Sequence, residues 1–151
     1  MACWLLKSEP DEFSLKDLQR LGQARWDGVR NYQARNFLRA MQPDELFFFH
    51  HSSCAEPGIA GIGRIVGEAF ADPTALDPES PYHAPKATAE SNPWTARQVA
   101  FVEAFPRVLP LPRLRQLPAL ADFALLRKGN RLSVMPVSAA EWAAILAAAR
   151  D

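Results

Sequence analysis

The alternation of apolar and polar positions divides the chain into a few clear elements. Cys3 to Lys7 is a short apolar run closed by Ser8-Glu9-Pro10. Proline has no N–H for a ladder, so the pattern predicts a buried first strand that ends there. Ser14, followed three residues later by Asp17, has the form of a capping box and opens a predicted helix over Leu15, Leu18 and Leu21 that stops at Gly22. After Trp26-Asp27-Gly28, which reads as a loop, a second helix is predicted from about Asn31 to Met41. Phe37, Leu38 and Met41 lie on its inner side and arginines on its outer side.

Leu46 to His51 contains three consecutive phenylalanines, so this predicted strand carries apolar groups on both faces. The next strand, about Ile59 to Phe70, contains Gly61, Gly63 and Gly67, which predict bends, bulges or close approach of another group. Gln98 to Val108 and Arg131 to Val137 complete the strands. Ser138 and Glu141 form a second capping box, and its helix sets Trp142, Ile145, Leu146 and Ala149 at helical spacing to close the core. Five or six strands with peripheral helices predict an α+β fold, a small, partly closed mixed β-barrel rather than a doubly wound sheet.

Length and composition agree with one domain over residues 1–151: 48% of residues are hydrophobic, 23% are charged, and no repeat interrupts the chain. Thirteen prolines, concentrated between Pro73 and Pro118, mark a long irregular middle in which Tyr82, Trp94 and Phe101 are interleaved. Seventeen basic residues balance seventeen acidic ones, so no long-range field holds a polyanion and any nucleic-acid binding is local. The N-terminus meets Glu9 and Pro10 too soon for a signal peptide or a membrane span, and the expected location is cytoplasmic.

Cys3 and Cys54 are far apart and belong to no Cys-x-x-Cys pair, so neither a disulfide framework nor a metal site is expected, and nothing calls for a cofactor. Cys54, with His50, His51 and Glu56 close by, is the best feature for a thiol-dependent enzyme, but no nucleophile signature surrounds it. A protein-interaction scaffold using the proline-rich Leu109–Pro118 stretch is another alternative, since Pro110-Leu111-Pro112 suits an extended conformation.

Three long runs carry a resemblance: Trp4-Leu5-Leu6-Lys7-Ser8-Glu9-Pro10, then residues 26–36 (Trp26-Asp27-Gly28-Val29-Arg30-Asn31 and onward), then Phe49-His50-His51-Ser52. They resemble the EVE domain family, and the similarity continues through Gly61-Ile62-Gly63, Asp72-Pro73-Thr74 and Arg131 to Val137. That resemblance implies a PUA-like fold related to the YTH readers of methylated adenine, and a non-enzymatic module that binds DNA or RNA by accepting a flipped, modified base. Phe49 stands where relatives often have tyrosine, which removes a hydroxyl near the expected pocket.

For that pocket the resemblance to the YTH cage singles out Trp26 as the stacking platform, against the plainer reading of a core tryptophan. Asn31 either reads a base edge or caps the second helix. Ser8 and Glu9 either hydrogen-bond a base or satisfy the turn before Pro10, and Glu9 suits an exocyclic amine. His50 and Ser52 end a strand where one histidine at a time can face the pocket, and Lys7 is a rim candidate. Arg35 and Arg39 share a helix face with Arg25 and Arg30 close before them, and Arg131 could join this cationic strip to hold phosphate; the bland reading is a solvated face.

Overall fold

A computed structural model describes residues 1–151. Strand β1 (Cys3–Ser8) runs parallel to β3 (Leu46–His51) and antiparallel to β6 (Val134–Val137). Strand β3 continues into antiparallel pairing with β4 (Gly58–Ala71), β4 with β5 (Thr95–Pro110), and β5 with the short β2 (Gln23–Trp26). The sheet order is therefore β2-β5-β4-β3-β1-β6. The expected barrel does not close, because the two outer strands, β2 and β6, do not pair with each other. Helix α2 (Tyr32–Ala40) packs against both β5 and β6, so side chains rather than a ladder cover the open side.

The helices start where their caps dictate. In α1 (Leu15–Leu21), Ser14 Oγ accepts from the Asp17 N–H at 3.1 Å and Asp17 accepts the Ser14 N–H at 2.9 Å. Gly22 ends it with φ at 80°. Helix α3 is the short turn Leu111–Leu114, and α4 (Ala139–Ala149) has the same reciprocal cap between Ser138 and Glu141. The Leu109–Pro118 segment is not a free partner-binding strand, since Leu109 and Leu114 are buried and Leu111 and Leu117 pack on the core.

The three phenylalanines of β3 explain the layering. Phe47 and Phe49 join Trp4, Leu6 and Trp26 on the face covered by α1 and α2. Phe48 points the other way with Leu5 and Ile62, and stacks on Trp142 of α4 at 3.9 Å between ring centroids. Gly58, Gly61 and Gly63 of β4 mark close approach, as expected, whereas Gly67 stands in open space with φ at 68°. The Phe47 ring occupies the space a side chain at Gly63 would need, and the β4–β5 register shifts near Gly61 and Gly63.

One cation lies within this packing. Arg97 of β5 is fully buried and donates to the carbonyls of Leu38 at 2.9 Å, Met41 at 2.6 Å and Gly67 at 2.7 Å. It thus satisfies backbone acceptors at the C-terminal end of α2, where a positive charge also meets the helix dipole favourably. Replacing Arg97 with Met leaves these carbonyls without donors, and a loss of about 3 kcal/mol or more is expected in urea unfolding. An unchanged urea midpoint would rule out this anchoring role.

Candidate functional site

A cavity of about 780 Å³ opens beside the first core layer, where six segments meet. The end of β1 supplies Lys7, Ser8 and Glu9, and the loop after β2 supplies Asp27, Gly28 and Val29. Ser52 and Ser53 follow β3, and Tyr82 comes from the proline-rich excursion. The aromatic part of the wall is Phe13, Trp26 and Tyr82. Such a volume lies within the roughly 300–1,000 Å³ of small-ligand sites.

The loop that shapes this cavity is organised by Asp72, a fully buried carboxylate. It accepts from Gly28 N–H at 2.8 Å, Arg30 Nη1 at 2.9 Å, Thr74 N–H at 2.8 Å and Thr74 Oγ1 at 2.6 Å. Burial alone pushes its carboxyl up, but these hydrogen bonds outweigh it and hold the group below the usual carboxylate range. The remaining donors of Arg30 reach the Tyr82 carbonyl, at 3.1 and 2.6 Å, and Thr74 Oγ1 at 3.0 Å. Tyr82 is thereby fixed over Gly28, whose φ of 76° suits glycine, and a Cβ there would come within 2.9 Å of the tyrosine ring. The Tyr82 hydroxyl donates to Glu12 at 2.8 Å; burial, that bond and nearby negative charges push its pKa up to about 12.

Trp26 ends strand β2 instead of projecting from a loop, and only 6% of it is exposed. Its ring is held edge-on by Phe13, Phe47 and Phe49, with centroids 5.3 to 6.3 Å away. It is at once a core residue and part of the cavity wall. The two tryptophans of this layer differ in one atom's fate. Trp4 donates Nε1–H to Glu45 at 2.9 Å, whereas the Trp26 Nε1–H has no acceptor in the protein and is not sealed from solvent.

Asn31 caps α2 through its Oδ1, which accepts from Ala34 N–H at 2.9 Å, and it also lines the cavity with its amide nitrogen uncommitted. Ser8 Oγ donates to the Phe13 carbonyl at 2.7 Å, so it holds the turn, while the Glu9 side chain has no partner in the protein. Among the expected phosphate ligands, Arg25, Arg30 and Arg131 line the cavity, but Arg25 is paired with Asp27 at 2.8 Å and Arg30 is occupied by Asp72. Arg35 and Arg39 are not part of this wall. Both donate to the Pro93 carbonyl, at 3.2 and 2.9 Å, and Arg39 also to Thr95 Oγ1, so they secure the excursion against α2. His50 does not reach this cavity either, because its position in β3 turns it to the opposite face.

The sequence did not disclose Asp72 or Tyr82 as builders of the site, although Asp72-Pro73-Thr74 has the form of a local cap that Asp72 also supplies. Neither His50 nor His51 hydrogen-bonds Cys54; His51 Nε2 instead accepts from Leu15 N–H at 3.1 Å. No group of three or more His, Cys, Asp or Glu is arranged to hold a metal ion, and no helix is long and apolar enough to cross a membrane.

An open, mixed six-stranded sheet with helices on both faces and a polar cavity beside its first strand defines a PUA-like α+β domain. The chain belongs to the EVE domain family, whose model matches residues 2–148. It is 38% identical to human thymocyte nuclear protein 1 over 162 aligned residues, covering 95% of this chain and 72% of that protein. A crystal structure of a Pseudomonas syringae protein superposes with a TM-score of 0.96 at 65% identity, over 98% of this chain and 99% of the other. The crystal structure of human THYN1 in complex with DNA containing 5-methylcytosine superposes with a TM-score of 0.95 at 36% identity, over 100% and 99% of the two chains.

Replacing Asp72 with Ala leaves Arg30 without its buried counter-ion, and a loss of about 3–5 kcal/mol is expected in urea unfolding near neutral pH. Because the folded carboxyl titrates below its unfolded counterpart, the charge-dependent part of this contribution is complete above the unfolded value of about 3.9. It is lost as pH falls through the lower folded value, so the gap between wild type and variant should narrow on acidification. A gap that stays constant would show that the carboxylate charge contributes nothing.

Proposed function

We propose that this domain binds a nucleic-acid strand by taking one base, of the modified kind represented by 5-methylcytosine, out of its stack and into the cavity beside Trp26, without converting it chemically. The observation that carries this reading is a cavity of sufficient size with Trp26, whose indole N–H has no partner in the protein, in its wall. It is supported by the likeness, over the whole of this chain, to the crystal structure of human THYN1 in complex with DNA containing 5-methylcytosine.

Extruding a base costs a few kcal/mol, which the cavity must return. With 6% exposure, Trp26 offers a strip of ring and its N–H rather than a whole face, so hydrogen bonding carries more of that return than stacking. A cytosine edge presents an exocyclic amine donor next to two acceptors. Glu9 is the uncommitted acceptor for the amine, and Trp26 Nε1–H and the Asn31 amide are the uncommitted donors. Phe13 and Val29 supply apolar wall for a methyl group. On the rim, Lys7 and Arg131 are the cations without an acidic partner and are left for phosphate.

Trp26→Ala would remove a core ring and confound binding with unfolding, so Trp26→Phe is the informative change. It keeps an aromatic wall and loses the N–H, and a weakening of roughly tenfold toward 5-methylcytosine DNA is expected by calorimetry. Equal affinities would discard the donor role. For Arg131→Gln the plot of log affinity against log salt should become shallower by about 0.7 to 0.9, whereas Arg39→Gln should leave it unaltered. The reverse pattern would move the strand's path onto α2.

A further inference from the structure

The opposite side of the β1 and β3 ends holds a second cavity, of about 600 Å³, which meets the first along Lys7, Ser52 and Ser53. His50 lines it and is 97% buried by its 3% exposure, yet neither ring nitrogen has a hydrogen-bond partner. Buried imidazoles ordinarily satisfy both nitrogens, so a ring with both nitrogens sealed and unpartnered behind a cavity wall marks a polar spot in that wall that the protein itself leaves unmatched. Lys7 stands opposite His50 in the parallel β1–β3 register, is half-buried and is in no ion pair. Around the mouth are Arg115, Arg127 and Lys128, with the Asn130 amide beside them.

No acidic side chain lines this cavity, and none of its four cations is in an ion pair. The bonds made there by Arg127 and Asn130 go to backbone carbonyls of Asp122 and Ala124. In a chain with seventeen cations and seventeen anions, such segregation selects for a negatively charged guest. Burial, then Lys7 and His51, push the His50 pKa down to about 4, so near neutral pH the ring is an uncharged donor-acceptor.

Resting on the reading of the first cavity as a base site, we propose that the second cavity is an oxyanion subsite for the phosphodiester groups flanking the extruded nucleotide. Lys7 and the Ser52-Ser53 turn form the ridge over which the strand passes from one cavity to the other. The backbone is then gripped by Lys7, Arg115, Arg127 and Lys128, with the His50 ring close behind the bound groups as part of the wall.

The test compares wild type with an Arg115→Gln/Arg127→Gln/Lys128→Gln variant, whose replaced side chains are all exposed. Three probes separate the cavities: the nucleoside 5-methyl-2′-deoxycytidine, inorganic pyrophosphate, and a single-stranded trinucleotide centred on 5-methylcytosine. Nuclear magnetic resonance follows the His50 ring for the second cavity and the Trp26 indole N–H for the first. Pyrophosphate and trinucleotide should shift the wild-type His50 signals, the nucleoside should not, and the triple variant should lose the response. For the trinucleotide, which carries two phosphodiesters, the log–log salt slope should fall by up to about 1.4 in the variant, at about 0.7 for each phosphate contact removed. Unmoved His50 signals with both phosphate probes, or an equal salt slope in the variant, would overturn the subsite even if the nucleoside still shifts Trp26. If pyrophosphate moves His50 while neither nucleoside nor trinucleotide moves Trp26, the base reading of the first cavity fails, and the assignment to a nucleic-acid strand fails with it.

Discussion

A single buried carboxylate ties together parts of the chain that lie far apart in sequence. Asp72 binds the Gly28 amide and the Arg30 guanidinium, 44 and 42 residues away in sequence, while capping its own turn through Thr74. Taking a carboxylate out of water is expensive, and the arrangement is stable only because every donor is in place at once. The loop after β2, the start of the excursion and the position of Tyr82 therefore form or fail together. Without that tie the cavity would have a floor from the sheet but no fixed far wall.

The sheet supplies the other half of the construction. Successive β-strand side chains alternate between faces, so β1 and β3 serve both layers: Ser8 faces the first cavity while His50 faces the second. Lys7, near the end of β1, reaches both. Neighbouring residues of one strand can thus contact successive groups of a bound chain without any hinge, and the rigid Phe47-Phe48-Phe49 core sets their spacing.

What could be read in the chain and what could not divides by sequence distance. Ser14 with Asp17, and Ser138 with Glu141, announce their helices because a cap is made by residues three apart. The phenylalanine run announces a strand with two buried faces for the same local reason. Strand β2 was not visible: it has four residues, and its burial arises from Phe13, Phe47 and Phe49, which come from elsewhere. Helical spacing correctly grouped Arg35 with Arg39, but it held no information about the Pro93 carbonyl that occupies them. Barrel closure likewise depends on whether two distant edges meet, a tertiary outcome that alternation within a strand cannot express.

An open sheet leaves two unpaired edges, and with formal charge balanced at zero this chain has little electrostatic repulsion to keep copies of itself apart. The edges are blunted by covalent structure instead. Outer strand β6 is four residues long and carries Pro136, which has no amide hydrogen to offer a neighbour, and β2 is equally short with Arg25 exposed upon it. What the outer strands β2 and β6 offer to a second copy is thus limited by one pyrrolidine ring, one exposed arginine and their length of four residues each.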